Sequence, residues 1–215
     1  MSLATKPSLR RDAQRNRERI LDATRAAFCE LGLDVGVDEI ARRAGVGMGT
    51  LYRHFPTKDA LIDAVVDARF TELNAAAQSA LAAPDAWEGL ESFLLAAVEL
   101  QAADRGFKDA LTTWRRDEPG VRPARRRLHA AVRKLVGRAQ EAGQLRADLA
   151  AEDVLVLLWA TARIVERTSG SAPGQARRFL ALHLAGLRPE AARDALPEAP
   201  LTPRQLQSCT LCPPR

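Results

Sequence analysis

Two short helical patterns separated by a three-residue break occupy residues 37–54, and they constrain the fold more than any other feature. The first predicts a helix over 37–44 with apolar residues at i, i+3, i+4 and i+7. These residues are Val37, Ile40, Ala41 and Ala44. Gly45 allows the positive φ of a tight turn, and Leu51 and Phe55 form the inner face of a second helix over 48–54. Such a pair is typical of a helix-turn-helix, whose second helix enters the major groove of DNA.

Apart from Leu51, the residues of the second helix lie on its outer face or at its edges, and most of them are polar or small. Its hydrogen-bond donors suit phosphate oxygens and would set the register of binding rather than its sequence preference. These donors are Thr50, Tyr52 and His54. Arg53 can reach a phosphate or a guanine edge, and Met48 can touch a thymine methyl group. Gly49 lets the backbone come close to DNA, so the pattern predicts a DNA-binding face.

The rest of the chain also predicts helices, and no strand alternation is present. With 47% hydrophobic and 27% charged residues, the composition is that of an ordinary globular protein. We expect further helices over 9–31, 57–83, 85–102, 104–115, 119–142, 150–169 and 173–187. The fold class is therefore all-α. Its predicted parts are a flexible basic arm (1–8), a helix-turn-helix domain (9–56), a helical domain (57–187) and a proline-rich tail (188–215), which is poorly ordered apart from a short helix around 190–196.

The charge distribution favours a polyanionic partner, although the net charge of +5 is modest. Residues 1–19 hold six cations against Asp12 and Glu18. This basic segment either contacts phosphate or the minor groove, or is simply solvated. The N-terminus lacks a signal-sequence pattern and no apolar stretch reaches the ~18 residues of a membrane span, so we expect a cytoplasmic protein without a membrane partner.

Metal and catalytic sites are not predicted. Cys209 and Cys212 have the spacing of half a zinc site or a redox pair, but no second pair accompanies them. The three histidines fall in separate predicted helices without a nucleophile or metal motif. We therefore expect no bound metal, no cofactor and no enzymatic activity.

Three motifs in the first third of the chain resemble those of a known family. They are Ala44-Gly45-Val46, Gly49-Thr50-Leu51-Tyr52-Arg53-His54-Phe55 and Lys58-Asp59-Ala60-Leu61. Together with the helix end Ala26-Ala27-Phe28-Cys29-Glu30-Leu31-Gly32, they resemble the DNA-binding domain of the TetR (TetR/AcrR) family of regulators, over about residues 14–66. Gly36 and Gly47 depart from the family pattern, which often has Ser or Thr there, so phosphate contacts at these positions would come from backbone amides.

The resemblance implies an all-helical homodimer that binds a palindromic double-stranded operator. It implies phosphate contacts by Tyr52, His54 and Lys58. It also implies contact of Thr50 with phosphate or base, and it places Met48, Gly49 and Arg53 at base edges.

By the same resemblance, the second half of the chain would bind a small-molecule effector and form the dimer. The candidate pocket residues are Trp87, Phe107, Leu111, Trp114, His129, Trp159 and Arg163. Each also fits an ordinary core position, and Arg163 with Glu166 could instead form a local ion pair. The candidate dimer residues on the last two helices are Leu155, Leu158, Ala162, Phe179, His183 and Leu184. These could build a four-helix bundle across a two-fold axis or belong to the core of one chain.

The sequence thus predicts a DNA-binding transcriptional regulator, in the form of a ligand-responsive repressor. Two alternatives remain open at this point. One is an activator or global regulator without a small ligand. The other is a helical ligand-binding protein that does not bind an operator, and the glycines at 36 and 47 are its only support.

Overall fold

In the computed structural model, the described residues are 6–103 and 122–209, and all regular elements within these ranges are helical. The α-helices are α1 (Lys6–Leu31), α2 (Val37–Ala44), α3 (Met48–His54), α4 (Lys58–Leu81), α5 (Ala86–Ala103), α6 (Arg122–Glu141), α7 (Ala151–Thr168), α8 (Gln175–Leu187) and α9 (Pro203–Cys209). A short 3-10 helix covers Pro189–Ala191. The all-α prediction is confirmed. The helix predicted over 104–115 lies outside the described residues.

The chain divides into two compact units, and the boundary falls inside α4. Among the described residues, the N-terminal unit contains 6–68 and the C-terminal unit contains 69–103 and 122–209. In the described parts of both units, no helix is long and apolar enough to cross a membrane.

The core of the N-terminal unit forms where α1 packs against α2. Ile20, Thr24 and Phe28 are buried along one stripe of α1, as the helical spacing predicts. The Thr24 hydroxyl donates to the carbonyl of Ile20 at 2.6 Å, so its burial leaves no unmet hydrogen bond. Leu31, although apolar, is 53% exposed. It lies in the last turn of α1, immediately before Gly32 with its φ of 80°.

The turn between α2 and α3 has the predicted geometry. Gly45 ends α2 with a φ of 62°. Its N–H donates to the Arg42 carbonyl at 3.2 Å, and the next N–H, of Val46, donates to the Ala41 carbonyl at 3.1 Å. The observed bounds of both helices match the predicted ones. Thr57 caps the start of α4, because its Oγ1 accepts the N–H of Ala60 at 3.0 Å.

The core of the C-terminal unit lies between α5, α6, α7 and α8, which pack on one another. Its largest fully buried side chains include Leu90, Phe93, Leu135 and Leu180. A polar pair joins α5 to α7 within this core: Gln101 Nε2 donates to the Leu158 carbonyl at 3.0 Å and Thr161 Oγ1 donates to Gln101 Oε1 at 3.2 Å. Burial of these groups is tolerated because their hydrogen bonds are made inside the protein.

The proline-rich segment after α8 differs from the expectation of a poorly ordered tail. The 3-10 helix replaces the helix predicted around 190–196, and α9 was not predicted. Arg146 Nη2 donates to the Asp194 carbonyl at 3.3 Å, and the Leu196 N–H donates to Asp148 Oδ2 at 3.2 Å. Leu206 is only 3% exposed. The segment is therefore attached to the C-terminal unit by contacts between residues far apart in sequence.

Candidate nucleic-acid interface

The helix α3 buries its back and presents the predicted DNA-binding residues outward. Leu51 and Phe55 hold it in place with 1% and 3% exposure. Tyr52 is 45% exposed and Met48 is 38% exposed. Tyr52 and Met48 thus leave aromatic and apolar surface exposed to solvent. Such surface suits contact with another molecule.

The other predicted DNA-binding residues lie on the same short stretch. Gly49 and Arg53 are exposed, whereas Thr50, His54 and Lys58 are half-buried. Six of the seven are on α3, and Lys58 is the first residue of α4. The local pattern thus places donors for phosphate and groups for base edges on one continuous stretch of chain.

The two glycines that depart from the family pattern have different surroundings. At Gly47, the N-cap of α3, no side chain caps the helix and the space around the missing Cβ is open. At Gly36, the N-cap of α2, the Asp38 carboxylate occupies the space that a Cβ would need. A carboxylate at the start of α2 already complements the helix dipole and repels a second anion. The expected phosphate contact through backbone amides is therefore unfavourable at Gly36.

Two arginines of α2 are neutralised by carboxylates of their own unit. Arg42 Nη2 and Arg43 Nε lie 2.7 and 2.8 Å from Glu39 Oε1, and Arg43 Nη1 lies 2.7 Å from Glu30 Oε2. The hydrogen bonds from Arg42 and Arg43 lower the pKa of Glu39 to about 2. These arginines therefore offer little net positive charge to a polyanion.

The first helix reaches both ends of α3 through arginines that the sequence pattern did not single out. Arg19 Nη2 donates to the Gly45 carbonyl at 3.4 Å, across 26 positions of sequence. The Arg17 guanidinium carbon lies 5.2 Å from the centre of the Phe55 ring, which is within the range of a cation–π contact. No local spacing indicates such contacts, because they depend on how α1 packs in the unit.

The predicted pocket residue Trp87 has its polar and aromatic groups occupied by the chain itself. It is 6% exposed, and its indole N–H donates to Glu91 Oε2 at 3.1 Å. The Arg188 guanidinium carbon lies 3.7 Å from the centre of its ring. Trp87 thus packs the start of α5 against Arg188, the residue that follows α8.

The remaining described pocket candidates are spread over α6 and α7. His129 is half-buried, with Nε2 3.5 Å from Glu152 Oε1, and burial lowers the pKa of His129. Trp159 is half-buried. Arg163 is exposed and binds Glu166 at 2.6 Å, so the ion-pair interpretation describes this pair. Phe107, Leu111 and Trp114 lie outside the described residues, as does Cys212.

The candidate dimer residues on α7 and α8 separate into inward and outward sets. Leu158 and Leu184 are each 6% exposed, so they already belong to the core of the chain. Leu155, Ala162 and Phe179 are half-buried, and His183 is exposed.

Part of the outward surface of these helices is apolar. Leu182 is 64% exposed and Val156 is 37% exposed, although neither was among the candidates. A groove of about 310 Å³ runs along the two helices and includes His183 and Leu196 in its lining. Of the candidate pocket residues that the structure describes, none lines this groove.

Two family models match the chain. The one described as "Bacterial regulatory proteins, tetR family" matches residues 20–65. The other, described as "Transcriptional regulator SbtR-like, C-terminal domain", matches residues 83–189. HTH-type transcriptional regulators of Staphylococcus aureus are 44% identical over 54 residues, which are 25% of this chain and 29% of those proteins. The match to these curated relatives thus spans less than a third of their length.

Solved structures resemble a larger part of the chain. The TetR transcription regulatory protein from Mycobacterium vanbaalenii is 39% identical, with 84% of this chain and 99% of that protein covered at a TM-score of 0.61. A TetR transcriptional regulator from Streptomyces coelicolor is 34% identical, with 80% and 98% covered at a TM-score of 0.63. The regulator FadR from Bacillus subtilis, solved in complex with stearoyl-CoA, shares the fold at 15% identity and a TM-score of 0.65, with 80% of this chain and 99% of that one covered.

Proposed function

The chain belongs to the TetR family of DNA-binding transcriptional regulators, and from this premise we propose that it is a ligand-responsive repressor that binds a palindromic operator as a homodimer in the cytoplasm. The observation that carries the proposal is the surface of α3. Its back is buried by Leu51 and Phe55, while Tyr52, Met48 and Arg53 remain outside. A helix held in this way presents the same side chains to every DNA duplex that it meets.

Within this proposal, phosphate contacts set the position of the protein on DNA. The half-buried residues Thr50, His54 and Lys58 have restricted side chains, and Tyr52 adds a hydroxyl at the open side of α3. Such contacts fix register without reading sequence.

In this proposal, only three residues of α3 recognise bases. Arg53 would recognise guanine, Met48 would meet a thymine methyl group, and Gly49 would admit close backbone approach. With only one charged side chain in this set, DNA shape and deformability would supply much of the specificity.

The dimer and the ligand response are further parts of the proposal. The outward apolar surface of α7 and α8, which includes Leu182 and Val156, would face the same surface of a second copy. A small molecule bound in the C-terminal unit would favour a spacing of the two recognition helices that does not fit the operator. Helix α4 would transmit this change, because it runs without interruption from Lys58 to Leu81. Ligand and DNA must then weaken each other by the same factor.

Fluorescence anisotropy with labelled duplexes tests the proposal. The specific probe is a duplex carrying an inverted repeat from upstream of the protein's own gene, and a scrambled duplex of equal length is the comparison. We expect Arg53→Ala to weaken binding to the inverted repeat by about 5- to 150-fold and to reduce the preference over the scrambled duplex. Arg127→Ala, at an exposed position of α6, removes the same charge and should change affinity little.

The remaining outcomes separate the alternatives. Equal, weak binding of the wild-type protein to both duplexes would contradict operator recognition and favour a ligand-binding protein without this activity. Transcription in vitro that rises rather than falls when the protein is added would contradict the repressor assignment and favour an activator.

A further inference from the structure

Helix α1 extends well beyond the part of the chain that the family model matches. The match begins at residue 20, whereas α1 begins at Lys6. The segment 11–19 of α1 is therefore a regular helix rather than a coil. Its side chains are exposed, apart from half-buried Asn16.

This segment carries cations that no carboxylate of the described residues neutralises. Arg11 and Arg15 are exposed, and neither forms an ion pair with any described residue. The Glu18 carboxylate accepts a hydrogen bond from the Gln14 amide at 2.8 Å. In α2, by contrast, Arg42 and Arg43 form ion pairs with Glu39 and Glu30.

The last turn of the same segment is attached to both ends of α3. Arg19 reaches the carbonyl of Gly45, in the turn before α3, and Arg17 lies over the ring of Phe55, which directly follows α3. A helix rises about 1.5 Å per residue, so Arg11 lies only about 12 Å farther along the axis than Arg19. Arg11 and Arg15 thus belong to the same compact unit as the recognition helix, on a helix that contacts the residues at both ends of α3.

We propose that residues 11–19 of α1 form a second DNA-contact surface, in which Arg11 and Arg15 bind backbone phosphates beside the site that α3 occupies. The inference rests on the proposed function, because it requires α3 to bring the unit onto DNA. Duplex DNA carries a phosphate charge about every 1.7 Å along its axis, so a basic helix next to the recognition helix meets phosphates at any sequence. The surface therefore adds affinity and salt dependence, and it adds no base preference.

The test compares Arg11→Gln/Arg15→Gln with the wild-type dimer by anisotropy on the inverted-repeat and scrambled duplexes, between 50 and 200 mM NaCl. Each phosphate contact contributes about 0.9 to the slope of log Kobs against log salt. Loss of two contacts per protomer should make the slope for a dimer shallower by about 3.6. The wild-type protein should therefore lose about a hundredfold more affinity over this salt range than the variant does. The preference for the inverted repeat should stay unchanged.

Two further variants control for charge and for folding. Arg126→Gln/Arg127→Gln removes two exposed arginines of α6 and should leave the slope near that of the wild type. Arg11→Lys/Arg15→Lys keeps the charge and should restore the wild-type slope. Circular dichroism compares the helix content of all variants.

The outcomes distinguish this inference from the proposed function. If the wild type prefers the inverted repeat and Arg11→Gln/Arg15→Gln keeps the wild-type slope, the second surface is refuted and the regulator assignment stands. If the wild type shows no preference but the variant has the shallower slope, the operator proposal fails and the basic surface of α1 stands. A variant that loses the preference for the inverted repeat also refutes the inference, since phosphate contacts carry no base information.

Discussion

The backbone of Gly45, at the turn between α2 and α3, leads to a prediction whose sign can be worked out. Its φ is 62°, a region that costs a residue with a Cβ about 1–2 kcal/mol. An added Cβ would also lie 2.7 Å from Arg19 Nη2. That atom ends a flexible, exposed side chain, so the arginine can move away with little further loss. We therefore expect Gly45→Ala to lower the free energy of unfolding by about 1–2 kcal/mol.

Two other glycines provide matched comparisons for this substitution. Gly49 lies inside α3 with open space around the Cβ position, so Gly49→Ala should raise the free energy of unfolding by about 0.4–1 kcal/mol through its helix preference. Gly32 has a φ of 80° and equally open surroundings. Gly32→Ala should therefore show the backbone cost alone, and its difference from Gly45→Ala measures the contact with Arg19.

Urea unfolding at one protomer concentration measures the free energy of unfolding of all three variants, and thermal unfolding measures their Tm. Both are followed by far-ultraviolet circular dichroism. Each kcal/mol corresponds to about 2–4 °C in Tm for a chain of this size. Gly45→Ala should therefore melt below the wild type and Gly49→Ala above it. A shift of the same sign for both variants would refute the reasoning, because it would mean that backbone φ does not determine the effect.

The remaining predictions concern ion pairs. The ionised carboxylate of Glu39 stabilises the fold fully above its usual pKa of 4.5, and this contribution is lost as the pH falls towards its folded-state pKa of about 2. Glu39→Gln should therefore lose less stability than the wild type between pH 5 and pH 3 in urea titrations, and parallel losses would contradict this assignment. Arg146→Ala should speed hydrogen exchange at the amide of Leu196, since Arg146 orients the Asp148 acceptor of that amide. Arg193→Ala, at an exposed position in the same segment, is the control, and equal exchange rates in both variants would argue against the attachment.

The helix-turn-helix shows how much of the fold could be predicted from sequence. The bounds of α2 and α3 were predicted correctly because the signals are local. Apolar residues repeat within one or two turns, Gly45 permits the left-handed turn, and Pro56 follows the end of α3. The ion pair between Arg163 and Glu166 was foreseen as one of two alternatives for the same reason, since residues three apart meet on a helix.

Two features could not be predicted from the sequence: the attachment of the segment after α8, and which apolar residues of α7 and α8 are buried within the chain. The hydrogen bond from Leu196 to Asp148 joins residues 48 positions apart, and proline content alone indicated a loose tail. Helical spacing identified Leu158 and Leu184 as apolar, but the same spacing fits a dimer face and an internal core. Their burial in the chain depends on how α5 packs against α7 and α8.

The sequence by itself determined α2 and α3, the turn at Gly45 and the family, because these depend on contacts within a few residues and on short motifs. Only the tertiary structure decided which charges on this basic chain are available. Arg43 is neutralised by Glu30, 13 positions away, whereas Arg11 and Arg15 of the extended α1 meet no described carboxylate. The physical reason is that charge pairing acts over a few ångströms in space, and spatial distance between remote residues is set by packing rather than by sequence order.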